Sequence, residues 1–310
     1  MKSDEASHTA LVVSLMRATH STYEKDPLIR ELDTFQFLTG SEKTALITRL
    51  RPTVGDERPS PPNCDRDDET TLAALLRSHP AYGNIIFRTR YAEDRLHRAL
   101  KEDFSQVVIL GAGMDTFCFR HPDLASEVTI FEVDHPATQE MKKQRLEQAG
   151  LRPPRNVQYV PVDFERRDLR DALLESGYKH DRKGFFCCLG LTPYLTARAH
   201  HRLLRCVAES GCANSELVLN YVDASIRSGV SLDGRNVTGR SPLAEPILSR
   251  LMPQELRAVL VGLGFEVIED VGAEELTKRY YRTQHELQPM ANFRMIHARI
   301  RQTPHASQKW

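Results

Sequence analysis

The chain has 310 residues and balances 42 Lys+Arg against 42 Asp+Glu, for a formal net charge of +0. That balance argues against a binder of nucleic acid or of a membrane surface, which needs a basic excess to neutralise phosphates. A hydrophobic share of 40% with 27% charged residues is globular rather than disordered composition, and the length suffices for one large α/β domain with additions.

The first region, 1–105, reads as helices that precede a sheet. Ala10, Val13, Leu15 and Met16 form a short apolar run, and Leu46, Ile47 and Leu50 mark a second helix. A proline-rich, charged loop is expected over 51–69. A long amphipathic helix follows from about Tyr82 to Lys101, with Ile85, Leu96 and Leu100 as its apolar positions. The second region alternates apolar runs at 107–110, 128–131, 157–160, 185–188 and 217–219 with helical patterns at 136–149, 168–176 and 196–210. Thr196 stands as N-cap of the last of these. Nearly continuous apolar strands, each followed by a helix, predict a parallel sheet covered on both faces. A charged insertion is expected over 224–252, then a helix from 253, a strand at 265–268, a helix near 273–281 and a last strand near 293–299. The predicted fold class is α/β: a Rossmann-like, doubly wound, seven-stranded sheet over 106–310, with N-terminal helical additions and a cap insertion.

No apolar stretch approaches the roughly 20 residues of a membrane span, and no signal peptide is evident, so a cytoplasmic protein without a membrane partner is expected. The six cysteines (64, 118, 187, 188, 206 and 212) lack C-x-x-C spacing, which favours reduced thiols over disulfides or a metal site.

The sharpest local signal is Leu110-Gly111-Ala112-Gly113-Met114-Asp115-Thr116 after the first apolar run. Glycines permit a sharp turn and let backbone N–H groups approach a ligand. A nicotinamide or flavin site asks for a third glycine where this chain has Thr116, which weakens that reading. Glu132 and Asp134 end the second strand with the same parity. Asp134, nearer the carboxyl end, is the better acceptor for ribose hydroxyls. Asp163, after the third strand, is placed to accept from an adenine amino group while Phe164 packs on the ring; a plain helix cap explains Asp163 equally well.

With Arg88-Thr89-Arg90-Tyr91, the run Phe131 to Gln139, and Leu189 to Thr196, these strand ends resemble the leucine carboxyl methyltransferase family of class I S-adenosylmethionine-dependent enzymes, in its bacterial, polyketide-type O-methyltransferase branch. The resemblance implies S-adenosyl-L-methionine as cofactor, with Gly111 and Gly113 beneath it, Asp134 on its ribose, and Asp163 and Phe164 at the adenine. It also implies an arginine on the methionyl carboxylate, Arg90 before Arg88, with Arg17 as a further basic position. Two positions depart from many relatives: Leu189 replaces a glutamate and Phe117 an arginine. The implied reaction is methyl transfer to a small-molecule or peptide carboxylate or hydroxyl. A carboxylate is ionised at neutral pH and needs no base, whereas a phenol would profit from one. No residue stands out as that base, neither His135 nor the His200-His201 pair, so the catalytic residue stays unassigned. Tyr91, Tyr194 and Tyr221 are the candidate substrate-lining tyrosines, and nothing in the sequence fixes an oligomeric state. The alternatives are a nicotinamide-dependent oxidoreductase, or a non-catalytic binding protein on a methyltransferase fold.

Overall fold

The computed structural model describes residues 7–51, 68–226, 248–281 and 287–301. Residues 52–67, with Cys64, and 227–247 lie outside them, and with them most of the expected 51–69 loop and 224–252 insertion. Four helices come first: α1 (His8–Tyr23), α2 (Gly40–Leu50), α3 (Glu69–Arg77) and α4 (Tyr82–Ala99). The sheet then begins with β1 (Gln106–Leu110), followed by the short α5 (Phe117–Arg120) and α6 (Pro122–Glu127). It continues through β2 (Thr129–Asp134), α7 (Pro136–Gln148), β3 (Val157–Pro161), α8 (Leu169–Glu175), β4 (Gly184–Cys188), α9 (Ala197–Ser210) and β5 (Glu216–Val222). The last elements are α10 (Pro253–Gly262), β6 (Phe265–Gly272), α11 (Ala273–Tyr280) and β7 (Phe293–Ile300).

The seven strands form one sheet in the order β3-β2-β1-β4-β5-β7-β6. Strands β1 to β5 pair in parallel, as their apolar runs predicted. The far edge differs from an all-parallel sheet, because β7 inserts antiparallel between β5 and β6. Contacts across β5 and β7 support that register: Arg299 pairs with the buried Glu216 at 2.8 Å, and His297 Nε2 lies 2.9 Å from the same carboxylate. The chain winds outward from β1 to β3, crosses back, and resumes at β4. The crevice at this reversal, beyond the carboxyl ends of β1 and β4, is where doubly wound sheets bind ligands.

Two buried or bridging ion pairs hold the helices on this frame. Lys142 of α7 reaches Glu132 of β2 at 2.5 Å, with both side chains only 2% exposed, so neither buried charge is left uncompensated. Arg145, one turn on, grips Glu42 of α2, and its hydrogen bonds hold that carboxyl down to about 2. Thr39 and Glu42 form a capping box at the start of the same helix. Thr196 caps α9 as expected, accepting from Ala199 N–H at 3.2 Å. Among the described residues, no helix is long and apolar enough to cross a membrane, and no cluster of three or more His, Cys, Asp or Glu is placed to hold a metal. The five described cysteines form no disulfide.

His200 lies on the sheet-facing side of α9, 5% exposed, with no hydrogen-bond partner for Nε2. Burial, aided by His201, lowers its pKa from 6.5 to about 4. The unfolded imidazole therefore takes up a proton before the folded one does. The stability that depends on neutral His200 is complete above about 6.5 and is lost as pH falls from there through about 4. Urea unfolding across that window should show a pH slope that His200→Leu reduces by about one proton; an unchanged slope would refute the assignment.

Candidate functional site

A cavity of about 470 Å³ opens at the β1/β4 crevice, a volume typical of small-ligand pockets (roughly 300–1,000 Å³). Its floor is the Gly111–Asp115 turn, its roof is α1 and α4, and its far wall is the 189–194 segment with Asn220 and Val222 of β5. Much of the lining is apolar, including Val13, Met16, Ile85, Ile109 and Leu191.

Gly111 and Gly113 both have positive φ, 70° and 52°, a region costly for residues with a Cβ. A Cβ on Gly113 would also sit 2.9 Å from the Cβ of Ala10, so α1 rests on the bare turn. Asp134 braces the turn from β2. Its carboxylate accepts from Gly113 N–H at 2.5 Å and from its neighbour His135 N–H at 2.6 Å. Burial raises the Asp134 carboxyl above the ordinary aspartate value, an effect that those two N–H groups oppose. Glu132, the other acid of this strand end, does not line the cavity and is spent on Lys142.

The two arginines of α4 separate. Arg88 lines the cavity, whereas Arg90 does not. Two residues span about 200° around a helix, so they cannot share a face. Arg90 turns to Asp94 at 2.9 Å, to the Leu28 carbonyl at 2.9 Å and over the Tyr280 ring. The Arg88 guanidinium lies deep in the protein and lies so close to Gly190 that a Cβ there would be 2.5 Å from Nη1. It has no hydrogen-bond or ion-pair partner among the described residues. Desolvation lowers its pKa to about 10, which leaves it cationic at neutral pH.

Arg17 also lines the cavity but is matched. Its Nε meets the buried Glu31 at 2.6 Å, and it donates to the Met114 carbonyl at 2.8 Å. Arg120 meets Glu31 at 3.4 Å and also pairs with Glu93. Burial alone would raise Glu93, but Arg120 and His121 outweigh it and hold the carboxyl at about 2. Thr116, where a dinucleotide fingerprint has glycine, donates to Glu31 and accepts from Arg120 Nε at 2.9 Å.

Besides Arg90, four expected site residues lie outside the cavity. Asp163 folds back on its own turn, accepting from Glu165 N–H at 3.0 Å, and Phe164 packs on the hydrophobic core; neither lines the cavity. Asp163 closes that turn rather than capping a helix, since the N-cap of α8 is Asp168. Tyr91 is fully buried and donates to Glu269 of β6 at 2.7 Å. Tyr221 points to the opposite face of β5 from Asn220 and Val222, where it meets Asp270 at 3.0 Å and Arg294 at 2.9 Å. Only Tyr194 of the three tyrosines lines the cavity. Leu189 and Phe117, the two departures from relatives, both do.

Sequence reasoning missed Glu93, Asp115, Arg120 and Asn220 as cavity residues. One signal was present. Ile85 and Leu96, read as the apolar stripe of α4, share their face with Arg88 and Ala92 at helical spacing. Asn220 accepts from Gly190 N–H at 2.6 Å and pins the segment behind Arg88, a contact that no local pattern announces.

The family model described as leucine carboxyl methyltransferase matches residues 10–208, well over half of the chain. The chain belongs to the leucine carboxyl methyltransferase family. The nicotinamide alternative falls with that match. A Bacillus subtilis (strain 168) protein, YktD, whose name assigns it provisionally to the S-adenosyl-L-methionine-dependent methyltransferases, is 28% identical over 302 residues, 96% of this chain and 99% of that one. A Mycolicibacterium smegmatis protein with the same type of name is 32% identical over 219 residues, and the match spans 70% of this chain but 64% of that relative. Among solved structures, the pyocyanin biosynthetic protein PhzM superposes with a TM-score of 0.44 at 18% identity, over 77% of this chain and 59% of that one.

The contact between α1 and the glycine turn can be weighed directly. Gly150 has a similar φ, 68°, but nothing lies within 4 Å of an added Cβ. Gly150→Ala should cost only the backbone term, about 1–2 kcal/mol. Gly113→Ala should cost clearly more, because Ala10 must also move. Equal losses in urea unfolding would show that α1 does not rest on the turn.

Proposed function

We propose that the chain is an S-adenosyl-L-methionine-dependent O-methyltransferase that methylates a carboxylate or hydroxyl of a small-molecule or peptide acceptor. The observation that carries this reading is Arg88, a half-buried cation lining the ligand crevice of the sheet that no carboxylate of the described residues neutralises. A buried charge without a partner is costly, so the site is built to receive an anionic group. The other residues fit the same cofactor. The turn at Gly111 and Gly113 has no side chain to hold a nucleoside off the backbone. Asp134 keeps spare lone pairs on both oxygens for sugar hydroxyls. The names of the relatives point the same way.

Bound there, the cofactor supplies an electrophilic methyl group on a sulfonium. The chain's own task is to align acceptor and methyl and to keep water out. An anionic acceptor and a cationic sulfonium neutralise each other as they react, so an apolar lining disfavours the separated ions more than the transition state. Val13, Met16, Ile85, Leu191 and Phe293 provide that lining. Tyr194, in the segment before α9, also lines the cavity and in this reading serves as an acceptor-side contact. Positioning, rather than a dedicated base, dominates this mechanism.

Calorimetry with S-adenosylhomocysteine tests the cofactor reading, and the absence of binding by the wild-type chain would sink it. Arg88→Gln should weaken binding by roughly 10- to 100-fold, the worth of a hydrogen bond to a charged group. Arg90→Gln should leave affinity near wild type. The reverse result would return the carboxylate role to Arg90.

A further inference from the structure

Outside the cavity, arginines crowd a second place on the protein. A depression of about 290 Å³ is formed by residues of the last two turns of α4 and the end of α11: Asp94, Arg95, Arg98, Arg279 and Tyr280. None of these five lines the cavity at the glycine turn. Their charges are unevenly answered. Asp94 pairs with Arg90 at 2.9 Å and accepts from the Tyr280 hydroxyl. Glu269 of β6 takes both Arg95 and Arg279, the latter through two nitrogens. Arg98 has no hydrogen bond or ion pair among the described residues, and Arg95 Nε is buried without a hydrogen-bond partner. Four guanidiniums, those of Arg90, Arg95, Arg98 and Arg279, thus meet two carboxylates.

Two of these arginines are also held in place. Glu269 accepts from the Tyr91 hydroxyl at 2.7 Å, and the centre of the Tyr91 ring lies 5.0 Å from the Arg95 guanidinium and 5.6 Å from that of Arg279. Burial alone would raise the Glu269 carboxyl, but the hydrogen bonds from Arg279 and Tyr91 and the charge of Arg95 outweigh it and hold the group at about 2. At neutral pH the carboxylate is therefore ionised and orients both forks. A guanidinium carries five N–H donors, so one shared carboxylate leaves each with donors to spare.

We propose that this depression is a binding site for the phosphoryl group of a small soluble molecule, held by Arg95, Arg98 and Arg279. The excess of two positive charges calls for an anion of more than one charge, and arginine forks match phosphate oxygens in pairs. Three guanidiniums can share three oxygens around one phosphorus, whereas a carboxylate offers two. Glu269 and Tyr91 hold two of the three forks before the ligand arrives, which reduces the ordering cost of binding. The site stands apart from the S-adenosylmethionine reading and does not depend on it: α4 contributes Arg88 to the cavity, and Arg95 and Arg98 to the depression.

Calorimetry of the full chain with inorganic pyrophosphate at low ionic strength tests this, with acetate as the carboxylate control. Pyrophosphate should bind, and an equal concentration of acetate should not displace it. Arg98→Gln, at an exposed position, should weaken binding by roughly 10- to 100-fold, the worth of hydrogen bonds to a charged group. Arg279→Gln should do the same; thermal unfolding confirms that each variant is folded. Arg88→Gln removes the unpaired guanidinium of the cavity, and Arg257→Gln removes an exposed charge from α10. Both should bind pyrophosphate as the wild type does. No binding by the wild type, displacement by acetate, or binding kept in both Arg98→Gln and Arg279→Gln overturns the proposal. An equal loss in Arg257→Gln would show only diffuse attraction, and a loss in Arg88→Gln would move the anion to the cavity; either result overturns it as well.

Discussion

An uncompensated guanidinium governs the centre of this protein. Of the three arginines gathered around the glycine turn, Arg17 and Arg120 are answered by Glu31 and Glu93. Arg88 is answered by nothing in the described chain. Holding a half-buried cation without a counterion is costly, so the surrounding structure must be stable enough to hold it in place. The buried Lys142–Glu132 pair, the Asp134 bonds to Gly113 and His135 N–H groups, and the packing of α1 on a turn without Cβ atoms provide that rigidity. In the proposed complex, the anionic end of the ligand supplies the missing counter-charge.

The matched arginines have a different role. Glu31 comes from the segment after α1, Arg120 from α5 and Glu93 from α4, so their pairing ties the helical additions to the sheet around the crevice. Thr116 joins the same network through its hydroxyl. A glycine there, as in dinucleotide folds, would remove that link. The residue that weakened the nicotinamide reading in the sequence is thus the residue that fastens the roof of the cavity to its floor.

Much of the fold was legible because burial writes itself into composition. Strands covered on both faces read as continuous apolar runs, and β1 to β5 fall within a few residues of where those runs stand. The antiparallel entry of β7 was not legible, since strand direction depends on where the connection returns and on cross-strand pairs such as Glu216 with Arg299. Within the site, Gly111, Gly113 and Asp134 were readable because backbone geometry and strand-end position are local properties. Asp163 and Phe164 have an equally suggestive spacing, yet a hydrogen bond to Glu165 N–H and packing on the core direct them elsewhere.

The sequence by itself determined the doubly wound sheet, the glycine turn at the end of β1, and the acid at the end of β2. Each follows from a short-range rule of burial, turn stereochemistry or strand parity. Only the tertiary structure decided which side chains share the cavity. It separated Arg88 from Arg90 by the rotation of one helix, sent Tyr221 to the far face of β5, and committed both oxygens of Glu93 and Asp134 while leaving one oxygen of Asp115 open. The reason is physical: a charge takes its meaning from what lies within a few ångströms of it, and those neighbours come from parts of the chain that are distant in sequence.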